Sequence, residues 1–263
     1  MASNVDGPMA AEFGTVAEWT AHVAEDLGPE YFIPAACRGS GQPAALDWLL
    51  AGLRPRPGDV LVDAGAGTGG PAAYAAGRTG VRPVLVEPEH GACRAAAALF
   101  HLPVVAADAT ALPIRDDAAG LAWCLGVLCT AEGPDAQLAM LGELRRIVRP
   151  DGRIGLLVYL ATTGHLDDPP QGNHFPALGQ LPALIDAAGL EVVDAVGAGD
   201  FPRPSPAWQD RAAEVERELR RRFGHTAQLS AATEQSSRIG RLLAAGQLTS
   251  QVLVVRDRAV SAG

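Results

Sequence analysis

The chain contains no lysine: all 21 of its basic residues are arginine. That absence removes a Schiff-base lysine and the lysine of a phosphate-binding P-loop. Basic residues are also outnumbered by 30 acidic ones, for a formal net charge of −9. Nucleic-acid binding rests on basic surface, so this balance argues against DNA or RNA as the main partner. Long apolar runs are missing too, and none reaches the ~20 residues that span a bilayer. The first residues, MASNVDGPMAAEF, lack the basic start and apolar centre of a secretory signal, which makes a cytoplasmic protein the default expectation. Cysteine is sparse: Cys37, Cys93, Cys124 and Cys129 are scattered without a CxxC pair. They read as free, mostly buried thiols rather than a disulfide or metal framework.

What is present is globular. The 263 residues are 48% hydrophobic and 19% charged, enough for one large domain with a sizeable core. The organising stretch is VLVDAGAGTGGPAAY, Val60 to Tyr74. It opens as an apolar strand and closes as an Ala-rich helix start, with Gly65, Gly67, Gly69 and Gly70 between them. Glycine there lets a ligand approach the main chain closely, and Pro71 suits a first helical turn. Strand, glycine loop and helix in that order make a nucleotide-type binding corner. Gly65, Gly67 and Gly70 also satisfy G-x-G-x-x-G, which dinucleotide folds share. Asp63 speaks for a different ligand, because a carboxylate before the loop repels a pyrophosphate and attracts an ammonium or sulfonium.

The order of apolar residues, Asp63, then Gly65, Gly67 and Gly69 resembles the first motif of the class I S-adenosylmethionine-dependent methyltransferases. The resemblance continues downstream. Glu87 ends the strand Pro83 to Glu87 about 20 residues past the loop, where nucleotide folds place an acid for ribose hydroxyls. The string DATALPIRDDAAG, from Asp108, is similar to the segment that meets adenine in that family. It implies that Asp108 and Ala109 face the adenine amino group, with Leu112 and Pro88 on the two faces of the ring. GLAWCLGVLCT matches the fourth-strand segment, which implies that the Leu125–Gly126 turn faces the methionyl amine. Cys129 and Thr130 stand where many relatives carry histidine. RRIVRPDGRIGLLVYL matches the fifth-strand segment, its Arg149–Gly152 read as a tight turn. The likeness runs from Asp59 to Tyr159.

Around that centre the expected architecture is α/β. It is a Rossmann-like, seven-stranded, mostly parallel sheet with helices on both faces, N-terminal helices, and a helical cap inserted before the last strand. Residues 1–57 read as helices covering the cofactor site. Residues 58–199 with 247–263 read as the core, and 200–246 as the cap. The segment YFIPAACRGSGQP, after a helix ending at Leu27, reads as irregular, and the resemblance implies that Arg38 meets the methionine carboxylate. Phe201 and Trp208 are read either as lining an apolar pocket or as anchoring the cap. The loop ATTGHLDDPPQGNHFP is long enough to suggest function. Its His165, His174, Asp167 and Asp168 fit no standard ligand spacing, so no metal is expected. His174 is the candidate general base, with Glu132 second.

The resulting expectation is S-adenosyl-L-methionine as cofactor and methyl transfer to a small-molecule acceptor, a secondary metabolite or lipid-like compound. No nucleic-acid or membrane partner is expected, and a homodimer is compatible. Two other functions stay open: a cyclase-like enzyme of the same fold that binds the cofactor without transferring methyl, and an NAD(P)-dependent oxidoreductase.

Overall fold

Ala119 to Leu125 is buried along its whole length, as a strand covered on both faces must be. In the computed structural model, which describes residues 8–37 and 41–259, it is the central strand of one sheet. The strands are Val60–Ala64 (β1), Arg82–Val86 (β2), Val104–Val105 (β3), Ala119–Leu125 (β4), Val148–Ala161 (β5), Leu190–Gly197 (β6) and Leu248–Asp257 (β7). Their order is β3-β2-β1-β4-β5-β7-β6. β1 pairs in parallel with β2 and β4, β2 with β3, and β4 with β5. β7 runs antiparallel to both β5 and β6. The architecture is therefore the seven-stranded, mostly parallel α/β sheet expected.

Helices cover both faces. Gly133–Ile147 (α6) and Leu181–Ala187 (α7) pack Met140, Leu141, Leu144 and Ile185 against Val62, Ile154 and Leu156 of the sheet. Pro43–Leu53 (α3) and Gly70–Thr79 (α4) pack Leu46, Leu49 and Ala75 against Leu61, Trp123 and Val252 on the other face. A third apolar cluster joins Pro8–Leu27 (α1), Phe32–Ala36 (α2), His90–Phe100 (α5), Pro206–Phe223 (α8) and Ala227–Ala244 (α9). In it the Trp19 and Phe223 rings stack at 4.3 Å. The two helices between β6 and β7 thus pack beside the N-terminal helices. Phe201 meets Trp48 and Trp208 meets Tyr74, edge to face, so both aromatics anchor this part of the chain to the sheet-covering helices. No helix among the described residues is long and apolar enough to cross a membrane.

Local readings differ in three places. The stretch after Leu27 is not irregular throughout: Phe32 to Ala36 makes a short helix whose Pro34, Ala35 and Ala36 are buried. The third strand, expected over Pro103 to Ala107, is only two residues long and pairs with β2 alone. Arg149 to Gly152 is not a turn before β5 but lies inside it. Ala119 pairs with Val148 and Leu121 with Arg153, so the intervening residues form an irregularity in a strand paired on both sides of it.

α1 meets α5 through two glycines. A Cβ on Gly91 would lie 2.4 Å from the carbonyl oxygen of Gly14, so the helices touch backbone to backbone there. Gly91→Ala should therefore destabilise by about 1–3 kcal/mol, overlap outweighing the ~0.5–1 kcal/mol gained from better helix propensity. Gly77 in α4 has nothing within 4 Å of such a Cβ, and Gly77→Ala should show the propensity gain alone. Urea midpoints of the two variants should move in opposite directions.

Candidate functional site

The loop after β1 is held by neighbours that leave no room for side chains. A Cβ on Gly65 would lie 2.5 Å from a Val127 methyl, one on Gly69 2.6 Å from Leu85, and one on Gly70 2.5 Å from the Ala36 carbonyl carbon. Gly65, Gly67 and Gly69 take φ of 73°, 54° and 79°, the left-handed region that favours glycine. Gly67 differs from the other two in being open: its nearest neighbour in the direction of a side chain is the Phe13 ring, 3.8 Å away. Phe13, on α1, is 48% exposed.

Three carboxylates follow at the ends of successive strands. Glu87, directly after β2, is buried, and each of its oxygens is engaged. Gly67 N–H donates to Oε2 at 2.8 Å and Glu89 N–H to Oε1 at 3.0 Å. Burial raises its pKa, and these two donors oppose the shift. Asp108, past β3, is half-buried, and its Oδ1 accepts from the Thr110 N–H at 2.7 Å and the Thr110 hydroxyl at 2.6 Å. Asp63 ends on the most apolar surroundings of the three. It pairs in register with Trp123, which is fully buried. Burial pushes its pKa up to about 7, with Trp123 lowering it and Glu87 raising it further. The Trp123 indole acts as a donor toward the ionised carboxylate, although neither its nitrogen nor Asp63 Oδ2, both buried, completes a hydrogen bond. A buried carboxylate oxygen with no partner is costly when ionised.

The ends of β1 to β4 thus bring Asp63, the loop glycines, Glu87, Pro88, Asp108 and Leu125 to one edge of the sheet. Pro88 is half-buried and Leu125 buried. Ala109 and Leu112 are buried members of the main apolar core behind that edge. Arg38 lies outside the described residues.

Sequence reading missed the strap that fixes the Asp108–Asp116 loop. Glu143 on α6 accepts from Leu112 N–H at 2.7 Å, and Arg146 forks onto Glu143. Arg146 also donates to the carbonyls of Leu112 and Ile114 and to Asp116. The Arg146 guanidinium holds the Glu143 carboxyl below its usual range. The visible signal was the i,i+3 Glu–Arg pair. Nothing local shows that such a pair turns toward a loop rather than to solvent.

His174 is exposed, and its main chain is pinned: its N–H donates to the Cys129 carbonyl at 2.6 Å and its carbonyl accepts from Gln137 at 2.6 Å. Its neighbour Asn173 meets the Cys129 thiol at 3.3 Å. Glu132 is an exposed residue at the start of α6 with no side-chain capping bond. Both candidates sit near the end of β4. His165 lies 3.6 Å from Asp167, both exposed, and Asp168 pairs with Arg238 and Arg241 of α9. Asp168 therefore straps the loop to α9, while Asp167 accepts from Gln247 just before β7. Among the described residues no group of three His, Cys, Asp or Glu is placed to hold a metal ion. All four cysteines are free and buried.

Asp63 sets a pH dependence. Its folded pKa of about 7 lies above the ordinary 3.8, so the folded state holds the proton more tightly than the unfolded one. Stability is then fully present below pH ~4 and lost as pH rises through about 7. Each unit is ~1.4 kcal/mol, so the effect is a few kcal/mol in all. The melting temperature of the ligand-free protein, relative to Asp63→Asn, should fall between pH 4 and 8, and a flat difference would remove the assignment.

Residues 62–156 match a family model described as a methyltransferase domain. No curated protein sequence matches the chain. Among solved structures, the cyclopropane synthase MmaA2 from Mycobacterium tuberculosis superposes with a TM-score of 0.65 at 14% identity, over 90% of this chain and 97% of that one. The 4+2 cyclase SpnF superposes at 0.63 and 22% identity, over 84% of each chain. Geranyl diphosphate C-methyltransferase from Streptomyces coelicolor A3(2) superposes at 0.60 and 16% identity, over 81% of this chain and 77% of that one. At such identities the likeness is one of fold. Residues 62–156 are thus similar to a methyltransferase domain, and the seven-stranded sheet that carries them has the fold of the class I S-adenosylmethionine-dependent methyltransferases.

Proposed function

We propose that the protein binds S-adenosyl-L-methionine at the carboxyl edge of β1 to β4 and transfers its methyl group to a small-molecule acceptor. One observation carries the reading: the buried Asp63 carboxylate, its Oδ2 without a hydrogen-bond partner, in register with Trp123 and followed by a loop open at Gly67. A ligand that brings a sulfonium and an ammonium supplies the missing counter-charge. A pyrophosphate adds a second negative charge to the same corner.

The other residues fit the rest of such a ligand. Glu87 is already oriented by two backbone donors, and each of its oxygens retains a lone pair for a ribose hydroxyl. Asp108, turned by its own bonds to Thr110, stands one strand further out, where Ala109 and Leu112 back the adenine and Pro88 flanks it. The bound cofactor supplies an electrophilic methyl group. The protein's part is to hold the acceptor in line with it and to keep water away, which can lower such a barrier chiefly by proximity and orientation. An acceptor hydroxyl would give up a proton on methylation, and the chain's own part is to take it. His174 is the proposed base, in a loop held by Cys129 and Gln137, and Glu132 is the second candidate. The enzyme is proposed to act in the cytoplasm on a secondary metabolite or lipid-like compound.

Fold alone does not fix the chemistry, since a cyclase shares it. Incubation with S-adenosylmethionine and a pool of acceptors should form S-adenosylhomocysteine; a product made without it would point to the non-transfer chemistry. Calorimetry with S-adenosylhomocysteine should show binding, and Glu87→Ala should weaken it tenfold or more through the loss of charge-assisted bonds worth ~1.5–3 kcal/mol each. The same variant should also melt earlier without ligand, because Gly67 and Glu89 lose their acceptor. Unchanged affinity would remove Glu87 from the site.

With an acceptor in hand, turnover of the wild type and of His174→Gln is compared, and the variant should lose most of the rate. Near-full turnover in that variant would leave proximity as the whole of the catalysis.

A further inference from the structure

A second concavity lies on the same face of the sheet as Asp63, two strands further along the same edge. It is a cavity of about 470 Å³, in the size range of small-molecule sites. Register places it. Asp63 pairs with Trp123 of β4, Leu125 of β4 with Leu157 of β5, and Leu157 and Tyr159 with Val252 and Ser250 of β7. Paired residues share a face, so the cavity's Leu157, Tyr159 and Ser250 floor continues the surface that begins at Asp63. A hydrogen bond from Gly126 N–H to the Leu157 carbonyl, 2.8 Å, ties that floor to the turn beside the cofactor edge. From the other side, the end of α2 touches Gly70 of the glycine loop while Gln42, before α3, lines the cavity.

The lining is uncharged. Leu157, Leu243 and Leu248 give aliphatic surface, Tyr159, Thr249 and Ser250 give hydroxyls, and Gln42 gives an amide. Among the described residues no Arg, His, Asp or Glu lines it. Burial pushes the Tyr159 hydroxyl up to about 12, so it keeps its proton as a donor at neutral pH. A diphosphate, a phosphobase or an amino acid taken from water into such a cavity would have no counter-charge, at a cost that buried charges do not recover without one. A neutral molecule with an aliphatic or aromatic body and one or two hydroxyl or carbonyl groups would meet both kinds of lining.

We infer that this cavity is the acceptor subsite and that it takes an uncharged, largely apolar molecule carrying hydroxyl or carbonyl groups. The inference rests on the methyl-transfer reading above. The floor lies one hydrogen-bonded strand from the cofactor edge, which is the adjacency an acceptor requires. Leu243, 37% exposed on α9, stands in the lining as its apolar residue nearest to solvent.

The test uses the full chain with S-adenosylhomocysteine added, and 1-naphthol as the neutral probe. Geranyl diphosphate and sarcosine serve as charged comparators. Saturation-transfer NMR and calorimetry should show 1-naphthol binding and neither comparator at the same concentration. Leu243→Glu places a carboxylate at an exposed position that should not disturb folding, and should weaken 1-naphthol at least tenfold. Ser250→Ala removes one hydroxyl and should weaken it about two- to tenfold. Affinity for S-adenosylhomocysteine should be unchanged in both. No binding of 1-naphthol, tighter binding of either comparator, or indifference to both substitutions would overturn the assignment while S-adenosylhomocysteine still binds. Failure of S-adenosylhomocysteine to bind the wild type would instead overturn the methyl-transfer reading, and the acceptor role with it.

Discussion

The bond from Gly67 N–H to the Glu87 carboxylate is the contact on which the rest of the site depends. It reaches across two strands and ties the one open point of the glycine loop to the acid after β2. On either side of Gly67 the loop is wedged by bulk from β2, from the end of β4 and from the end of α2. Those wedges fix where the loop lies, and the carboxylate fixes which way its amide points. Because Glu87 is buried, the bond is made where water competes little and is correspondingly strong. The same burial raises the cost of ionising Glu87 and, beside it, Asp63. Loop order and charge strain come from one arrangement.

That arrangement explains the sign of the whole edge. Three carboxylates stand at the ends of β1, β2 and β3, and each raises or feels its neighbours. A fold does not gather like charges at one rim without a compensating partner. Hydrogen-bond donors from the backbone compensate Glu87 and a threonine compensates Asp108. Asp63 is the one of the three with a buried carboxylate oxygen left without a hydrogen-bond partner. Of the two arginines that next follow it in sequence, Arg78 binds Asp47 and Arg82 the Gly58 carbonyl.

Much of this was legible in the residues. The strand–glycine–helix corner, Asp63, Glu87 and the Asp108 segment are local patterns, and a local pattern needs only its own neighbours to be read. The central strands were legible for a related reason, since a strand covered on both faces is apolar along its length. What escaped was decided across the fold. α2 is a five-residue helix with Pro34 in its interior, so propensity alone gives no reason for it; burial against the glycine loop does. Arg149 to Gly152 has every local mark of a turn, yet pairing on both sides keeps it in β5. The Glu143–Arg146 strap looked like a surface pair because its targets lie more than 30 residues away in sequence. The Phe201 and Trp208 question, pocket or anchor, could be settled only by seeing what the rings touch.

The four buried thiols, in a chain without a single lysine, change how the molecule can be watched. Amine-directed reagents find no side chain to modify, so chemical labelling is silent on the surface. Each cysteine reports instead on a different layer: Cys37 on the end of α2, Cys93 on the face of α5 beneath α1, Cys124 inside β4 and Cys129 under the His174 loop. All four are held protonated by burial, and a thiol must be both uncovered and ionised to react. The order in which they react with a small disulfide reagent is therefore a map of which layer opens first. It is written into the native protein with no label added.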